Sequence, residues 1–190
     1  MSETFYGQGR EDLWIALNLP LPQRGFYVDI GCGHPFTTSN TAFLRDRKWE
    51  GLAIDADPVW DELWKDIPAY HRALISHDQD EFVTFYCDNE CPYRSRITND
   101  GKGELWGTQT IERVLMKHDV GLIDFMSIDI EGQEYDLLTH LDFDLHKPAI
   151  MIVEWDTAGI GQDLRIEPYM VEVQKYKAVH KTPMNIVFVR

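Results

Sequence analysis

Residues 25–35 read GFYVDIGCGHP, and these eleven positions decide the fold. Gly25 to Ile30 is a short β-rich run that ends at Gly31-Cys32-Gly33, and Ser39 to Arg47 then reads as a helix opened by a capping serine. Strand, glycine turn and helix make half of a βαβ unit. Downstream, Leu52 to Asp55 is a second strand, and Pro58 starts a helix to Lys65, proline being preorganised for a first turn. A third strand is expected from Tyr70 to Ile75 and an extra one from Phe82 to Tyr86.

The stretch from Tyr86 to Thr108 (YCDNECPYRSRITNDGKGELWGT) breaks the alternation and reads as a long polar loop insertion. Helix then resumes at Thr110 to Lys117, with a strand at Leu122 to Ile128, a helix at Glu134 to Leu141 and a doubly buried strand at Ala149 to Val153. Asp163 to Lys175 is expected as the last helix. Lys177 to His180 and Asn185 to Val189 follow as an antiparallel pair around Thr182-Pro183. The sum is a single α/β domain over residues 1–190: a mostly parallel, Rossmann-like sheet with helices on both faces and a closing hairpin, preceded by an amino-terminal segment 1–24.

Composition narrows the function classes. The chain has 190 residues, 44% hydrophobic and 12% aromatic, which excludes wholesale disorder. Eighteen basic against 32 acidic side chains give a net charge of -14, so neither nucleic acid nor an anionic membrane is an expected partner. No apolar run spans a membrane and no leader pattern opens the chain, so the expectation is a soluble, cytoplasmic protein. Cys32, Cys87 and Cys91 form no CxxC pattern and read as reduced thiols.

Ligands of open parallel sheets bind at the carboxyl ends of the strands. The glycine turn lets backbone approach a ligand, and Asp55, 26 residues after Asp29, stands where a nucleoside-binding fold holds ribose hydroxyls. A dinucleotide fingerprint would need a third small residue, but the count from Gly31 and Gly33 reaches Phe36. That disfavours a small NAD(P) oxidoreductase and favours S-adenosylmethionine, which carries no pyrophosphate. A non-catalytic nucleoside-binding module of the same fold is the other alternative.

The runs VDIGCGHPFTTSNTAFLRDRKWEGLAIDADP, DFMSIDIEGQEYDLL and AIMIVEWD, with YGQGREDLW before them, resemble the FkbM-type S-adenosylmethionine-dependent methyltransferases. The resemblance implies a class I methyltransferase fold and transfer to a hydroxyl (an EC 2.1.1 type activity) of a small acceptor such as a sugar or polyketide-like compound. It implies that Gly31, Cys32 and Gly33, with Asp29 and with Ser39, Asn40 and Thr41 nearby, line the methionine end of the cofactor. Asp55 would hold the ribose, Ala56 would lie by the adenine and Ser76 would meet its edge. Gln8 and Asp12 would cover or brace the cofactor.

Asp129, Glu131 and Glu154 leave neighbouring strands and are expected to converge as the catalytic acids. The same three are the candidate ligands for Mg²⁺, a hard cation suited to carboxylates. The alternative is that Glu131 and Glu134 merely cap the helix that follows, where acids are favourable near its positive end. His34 is a further candidate facing the acceptor, and Trp106 and Trp155 are candidate walls of its pocket. Arg94, Arg96 and Lys102 suggest an anionic acceptor. The pocket is short of an acceptor domain, so a homo-oligomer is an open expectation.

Overall fold

The computed structural model describes residues 4–77, 81–157 and 161–190; the first three residues of the amino-terminal segment lie outside them. In chain order the elements are α1 (Glu11–Asn18), β1 (Phe26–Ile30), α2 (Ala42–Asp46), β2 (Glu50–Asp55), a 3-10 turn (Pro58–Trp60) running into α3 (Asp61–Trp64), β3 (Tyr70–Arg72), β4 (Leu74–Ile75) and β5 (Phe82–Tyr86). A second 3-10 turn (Pro92–Arg94), β6 (Arg96–Ile97), β7 (Glu104–Gln109), α4 (Ile111–Lys117), β8 (Phe125–Ile128), α5 (Glu134–His140) and α6 (Phe143–His146) follow. The chain closes with β9 (Ile150–Glu154), β10 (Asp156–Thr157), β11 (Gly161–Gln162), α7 (Ile166–Pro168) continuing as a π-helical turn (Tyr169–Val173), β12 (Lys177–Lys181) and β13 (Asn185–Val189).

Seven strands form the main sheet in the order β12-β13-β9-β8-β1-β2-β3. β9, β8, β1, β2 and β3 are parallel neighbours, while β13 runs antiparallel to both β9 and β12, so the sheet is mixed. Successive side chains of a strand face opposite sides, and the core divides accordingly. Val28, Ile30, Ile54, Met126, Ile128 and Val153 pack against α4, α5 and α7 through Val114, Leu115, Leu137, Leu138 and Ile166. Tyr27, Phe125, Ile152 and Val187 pack on the other face against Ile15 of α1 and Phe43 and Leu44 of α2. A fully buried Ile or Leu of this kind contributes about 1.5–3 kcal/mol. No helix among the described residues is long and apolar enough to cross a membrane.

Four expectations need correcting. The stretch 86–108 is not one loop: β7 pairs antiparallel with β5 and parallel with β4, and β6 closes a four-stranded second sheet in the order β4-β7-β5-β6. The expected third strand divides after Arg72, its first part joining the main sheet and its second part this small one. The last helix begins at Ile166 rather than Asp163 and widens into a π turn after Pro168, whose ring supplies no N–H for a regular i→i−4 bond. Helix α2 is also shorter than Ser39 to Arg47: it runs from Ala42 to Asp46 with Thr41 at its N-cap, and Ser39 Oγ accepts from Ala42 N at 3.1 Å from outside the helix.

Candidate functional site

A cavity of about 380 Å³ opens at the carboxyl ends of β1, β2, β8 and β9, roofed by the inserted sheet. That volume lies in the usual range for small-molecule sites. Of the expected cofactor residues, Gly31, Cys32, Gly33, Asp55 and Ala56 line it, and so do all three expected acids, Asp129, Glu131 and Glu154.

The glycine turn is shaped by its neighbours. Gly31 has φ +76°, and a Cβ there would lie 1.6 Å from the carbonyl oxygen of Asp129. Only glycine fits, since the ends of β1 and β8 press together at this point. Gly31 N and Cys32 N both donate to Ile54 O, at 2.8 and 3.1 Å, which carries the turn across the end of β2. Gly33, at φ +51°, donates its N–H to Asp55 Oδ2 at 2.8 Å, while Asp57 N donates to Oδ1 at 2.9 Å. Asp55 is thus held against the turn by two main-chain donors. Burial still pushes its carboxyl up to about 7, the two N–H groups opposing that shift. Burial, with the nearby Asp55 and Asp29, pushes the Cys32 thiol up too, which makes it an inert wall.

Asp29, Ser39, Asn40 and Thr41 lie beneath this turn and do not line the cavity. Asp29, only 3% exposed, accepts from Thr41 Oγ1 at 2.6 Å, and Thr41 Oγ1 accepts in turn from Arg45 at 3.2 Å. Asn40 Nδ2 donates to Ser127 Oγ at 3.3 Å. These contacts clamp α2 to β1 and β8, so the group braces the turn from behind. Asn40 Oδ1 is left without a donor among the described residues. Ser76 also stays off the cavity surface; its N–H donates to Gln109 O at the end of β7.

The amino-terminal segment is tied down by two buried acids. Asp12 Oδ2 accepts from Tyr6 N and Gly7 N at 2.6 and 2.9 Å. Glu11 accepts from Gly9 N, Thr182 Oγ1 and Asn185 Nδ2, which joins this segment to the β12–β13 hairpin. As a result Gln8 and Met184 both reach the cavity edge, whereas Asp12 acts through the backbone it holds.

On the opposite wall, Asp129, Glu134 and Glu154 offer carboxylate oxygens that all lie within 4.8 Å of one another. The third member is Glu134, where Glu131 was expected. Glu131 sits at φ +54°, a left-handed turn that swings its side chain away from the trio, and Glu134 folds back over the start of α5. Glu134 Oε1 accepts from Ile130 N at 2.8 Å and Oε2 from Gly132 N at 3.0 Å, so it closes the turn as a cap would. A hydrogen bond links the Asp129 and Glu154 carboxyls; burial raises both, the charges of Glu131 and Glu134 raising Asp129 further and that of Asp129 raising Glu154 to about 11, so this wall holds protons at neutrality. Glu131 is half-buried; burial, then the charge of Glu134, pushes it up to about 7.

The remaining candidates separate clearly. His34 Nδ1 accepts from Phe36 N and Thr37 N, both at 3.1 Å, so the ring caps its own turn. Trp155 donates to Thr182 O and lies under Lys181, and Trp106 packs on Phe85; neither lines the cavity. Arg94 does line it, together with Tyr93, Ser95 and Gln133, which sequence reasoning did not single out as site residues. Tyr93 and Ser95 lie in the stretch expected to be a loop, and no sequence signal foretold that it folds back over the glycine turn.

The methyltransferase FkbM domain matches the chain over residues 29–177. The chain belongs to the FkbM methyltransferase family. The match spans both walls of the cavity, from Asp29 to beyond Glu154, and the inserted sheet between them. Neither a curated protein nor a solved structure matches this FkbM-family domain.

Proposed function

We propose that this methyltransferase uses S-adenosylmethionine in a class I, Rossmann-like arrangement and methylates a hydroxyl oxygen of a small acceptor, a sugar or polyketide-like compound. The observation that carries the reading is the pairing of a left-handed glycine turn, too crowded for any Cβ at Gly31, with a carboxylate held at its edge by Gly33 N and Asp57 N. Such a carboxylate keeps lone pairs for ribose hydroxyls. Ala56, Trp60, Ala73 and Ile75 give the same side of the cavity an apolar lining suited to a base.

Bound there, the cofactor would supply an electrophilic methyl group. The protein's own residues align the acceptor oxygen and remove its proton. Glu131 lines the cavity and is poised near neutrality, so it receives the hydroxyl proton as the new bond to oxygen forms. Protonation of the Asp129–Glu154 pair keeps further negative charge away from Glu131. No step here needs Mg²⁺, although Asp129, Glu134 and Glu154 bring carboxylate oxygens within 4.8 Å of one another, a set that could hold it.

Calorimetry with S-adenosylmethionine and S-adenosylhomocysteine, followed by a methyl-transfer screen over sugars and polyols with and without chelator, tests this. Binding of both compounds and chelator-insensitive transfer is expected. Binding without transfer would leave a nucleoside-binding module, heat only with NAD(P) would leave an oxidoreductase, and loss of transfer with chelator would restore the metal.

A further inference from the structure

We propose that Arg94 reads the acceptor, taking an oxyanion substituent, a carboxylate or phosphate, on the molecule whose hydroxyl is methylated. This deepens the methyl-transfer reading above and rests on it. Arg94 is the one basic side chain among the described residues that line the cavity, whose other charged groups are Asp55, Asp129, Glu131 and Glu154. In a cavity otherwise lined by carboxylates, Arg94, whose charge also lowers the Glu131 carboxyl, is the positive group that an anionic acceptor would meet.

Several other arginines are engaged within the protein. Arg45 bonds to Thr41, Arg72 to Asp61, Arg165 to Asp163, and Arg96 donates to Arg94 O at 3.1 Å while lying over Tyr86. The guanidinium of Arg94 makes no hydrogen bond or ion pair with any described residue. Its backbone, by contrast, is fixed on both sides. Tyr93 packs on Trp60 at 5.0 Å between ring centres and its hydroxyl meets Thr37 Oγ1 at 3.1 Å. Ser95 Oγ donates to Asp57 Oδ2 at 2.6 Å, and Asp57 N in turn bonds Asp55. The inserted sheet is therefore latched to the carboxylate proposed to hold the ribose, and a fixed turn carries the exposed Arg94 on the cavity lining, close enough for its charge to act on Glu131. Preorganised, planar donors of this kind suit bidentate recognition of carboxylate or phosphate. Lys102 takes no part: it does not reach the cavity.

The cofactor's own carboxylate offers the same chemistry, so the experiment separates the two sources. Wild type, Arg94→Met and Arg94→Lys are titrated with S-adenosylhomocysteine. The loaded proteins are then titrated with glucuronate, glucose 6-phosphate and glucose. The expected result is that wild type binds at least one of the anionic sugars about tenfold or more tightly than glucose. Arg94→Met loses that preference, Arg94→Lys retains part of it, and affinity for S-adenosylhomocysteine stays the same in all three. Absence of any anion preference in wild type, or its survival in Arg94→Met, overturns the proposal. A fall in S-adenosylhomocysteine affinity in Arg94→Met, without change in sugar preference, assigns the guanidinium to the cofactor and overturns it equally. Failure of wild type to bind S-adenosylhomocysteine removes the cofactor reading itself, a result distinct from either.

Discussion

On the wall of the cavity built by β1 and β2, the carboxylate of Asp55 is satisfied by two main-chain N–H groups; on the wall built by β8 and β9, Asp129 and Glu154 are satisfied by each other. Main-chain donors are fixed in place and never titrate, whereas a shared proton comes and goes with pH and with what binds. The first wall is therefore a shape and the second a reagent, which is the division that binding a cofactor and deprotonating an acceptor requires. The two meet along the β1–β8 pairing, which ends where Gly31 passes the carbonyl of Asp129. Gly101, in the inserted sheet, has nearly the same φ, +80° against +76°, yet a Cβ there would meet nothing within 4 Å. Gly31→Ala should consequently lose about 4 kcal/mol or more, since backbone must move. Gly101→Ala should lose only about 1 kcal/mol for its left-handed conformation. Urea unfolding of both variants checks this, and equal losses would mean that the two walls are not in contact as described.

A smaller effect separates the walls functionally. Glu131→Gln removes the base while leaving Asp55 and the glycine turn untouched. Turnover should fall about 10²- to 10⁴-fold, with S-adenosylmethionine affinity unchanged by calorimetry. In the wild type, turnover at saturating cofactor, where titration of the Asp55 carboxyl near 7 does not enter through binding, should rise with pH through about 7 as the Glu131 carboxyl gives up its proton, and the variant should lose that limb. Full turnover in Glu131→Gln would move the base elsewhere on the same wall.

Sequence reading reached the first wall more completely than the second. Asp55, Gly31 and Gly33 are legible because strand, turn and strand are local in the chain and glycine at such a turn has few other uses. The acids of D-x-E-G-x-E are equally visible, yet which one joins Asp129 depends on the backbone of the turn. Glu131 adopts a left-handed conformation that a non-glycine residue seldom takes, and nothing in the letters announces it. Thr41 and Asn40 were placed near the cofactor, and they lie one layer below it: a buried Asp29 needs a donor, and Thr41 Oγ1 supplies it. The inserted sheet was opaque for a different reason. β7 reads ELWGTQ, mostly exposed and without regular alternation, and its partners β4 and β5 are brought to it by the fold rather than by a hairpin turn.

The smallest expected effect concerns the shared proton. In the folded protein Glu154 keeps a proton that it would release above its ordinary value of 4.5 once unfolded. The native state then binds more protons than the unfolded one as pH rises past that value, so this pair contributes a fall in stability with rising pH. Glu154→Gln preserves a donor toward Asp129 and abolishes the extra proton. Its stability relative to wild type should therefore improve between pH 5 and pH 8, by at most about 1.4 kcal/mol per pH unit and less because the proton is shared. Thermal unfolding of both proteins across that range is the measurement. Curves that run parallel would mean that Asp129 and Glu154 are both ionised in the folded state. Such a pair of buried charges would require a cation, and the second wall would then be a metal site after all.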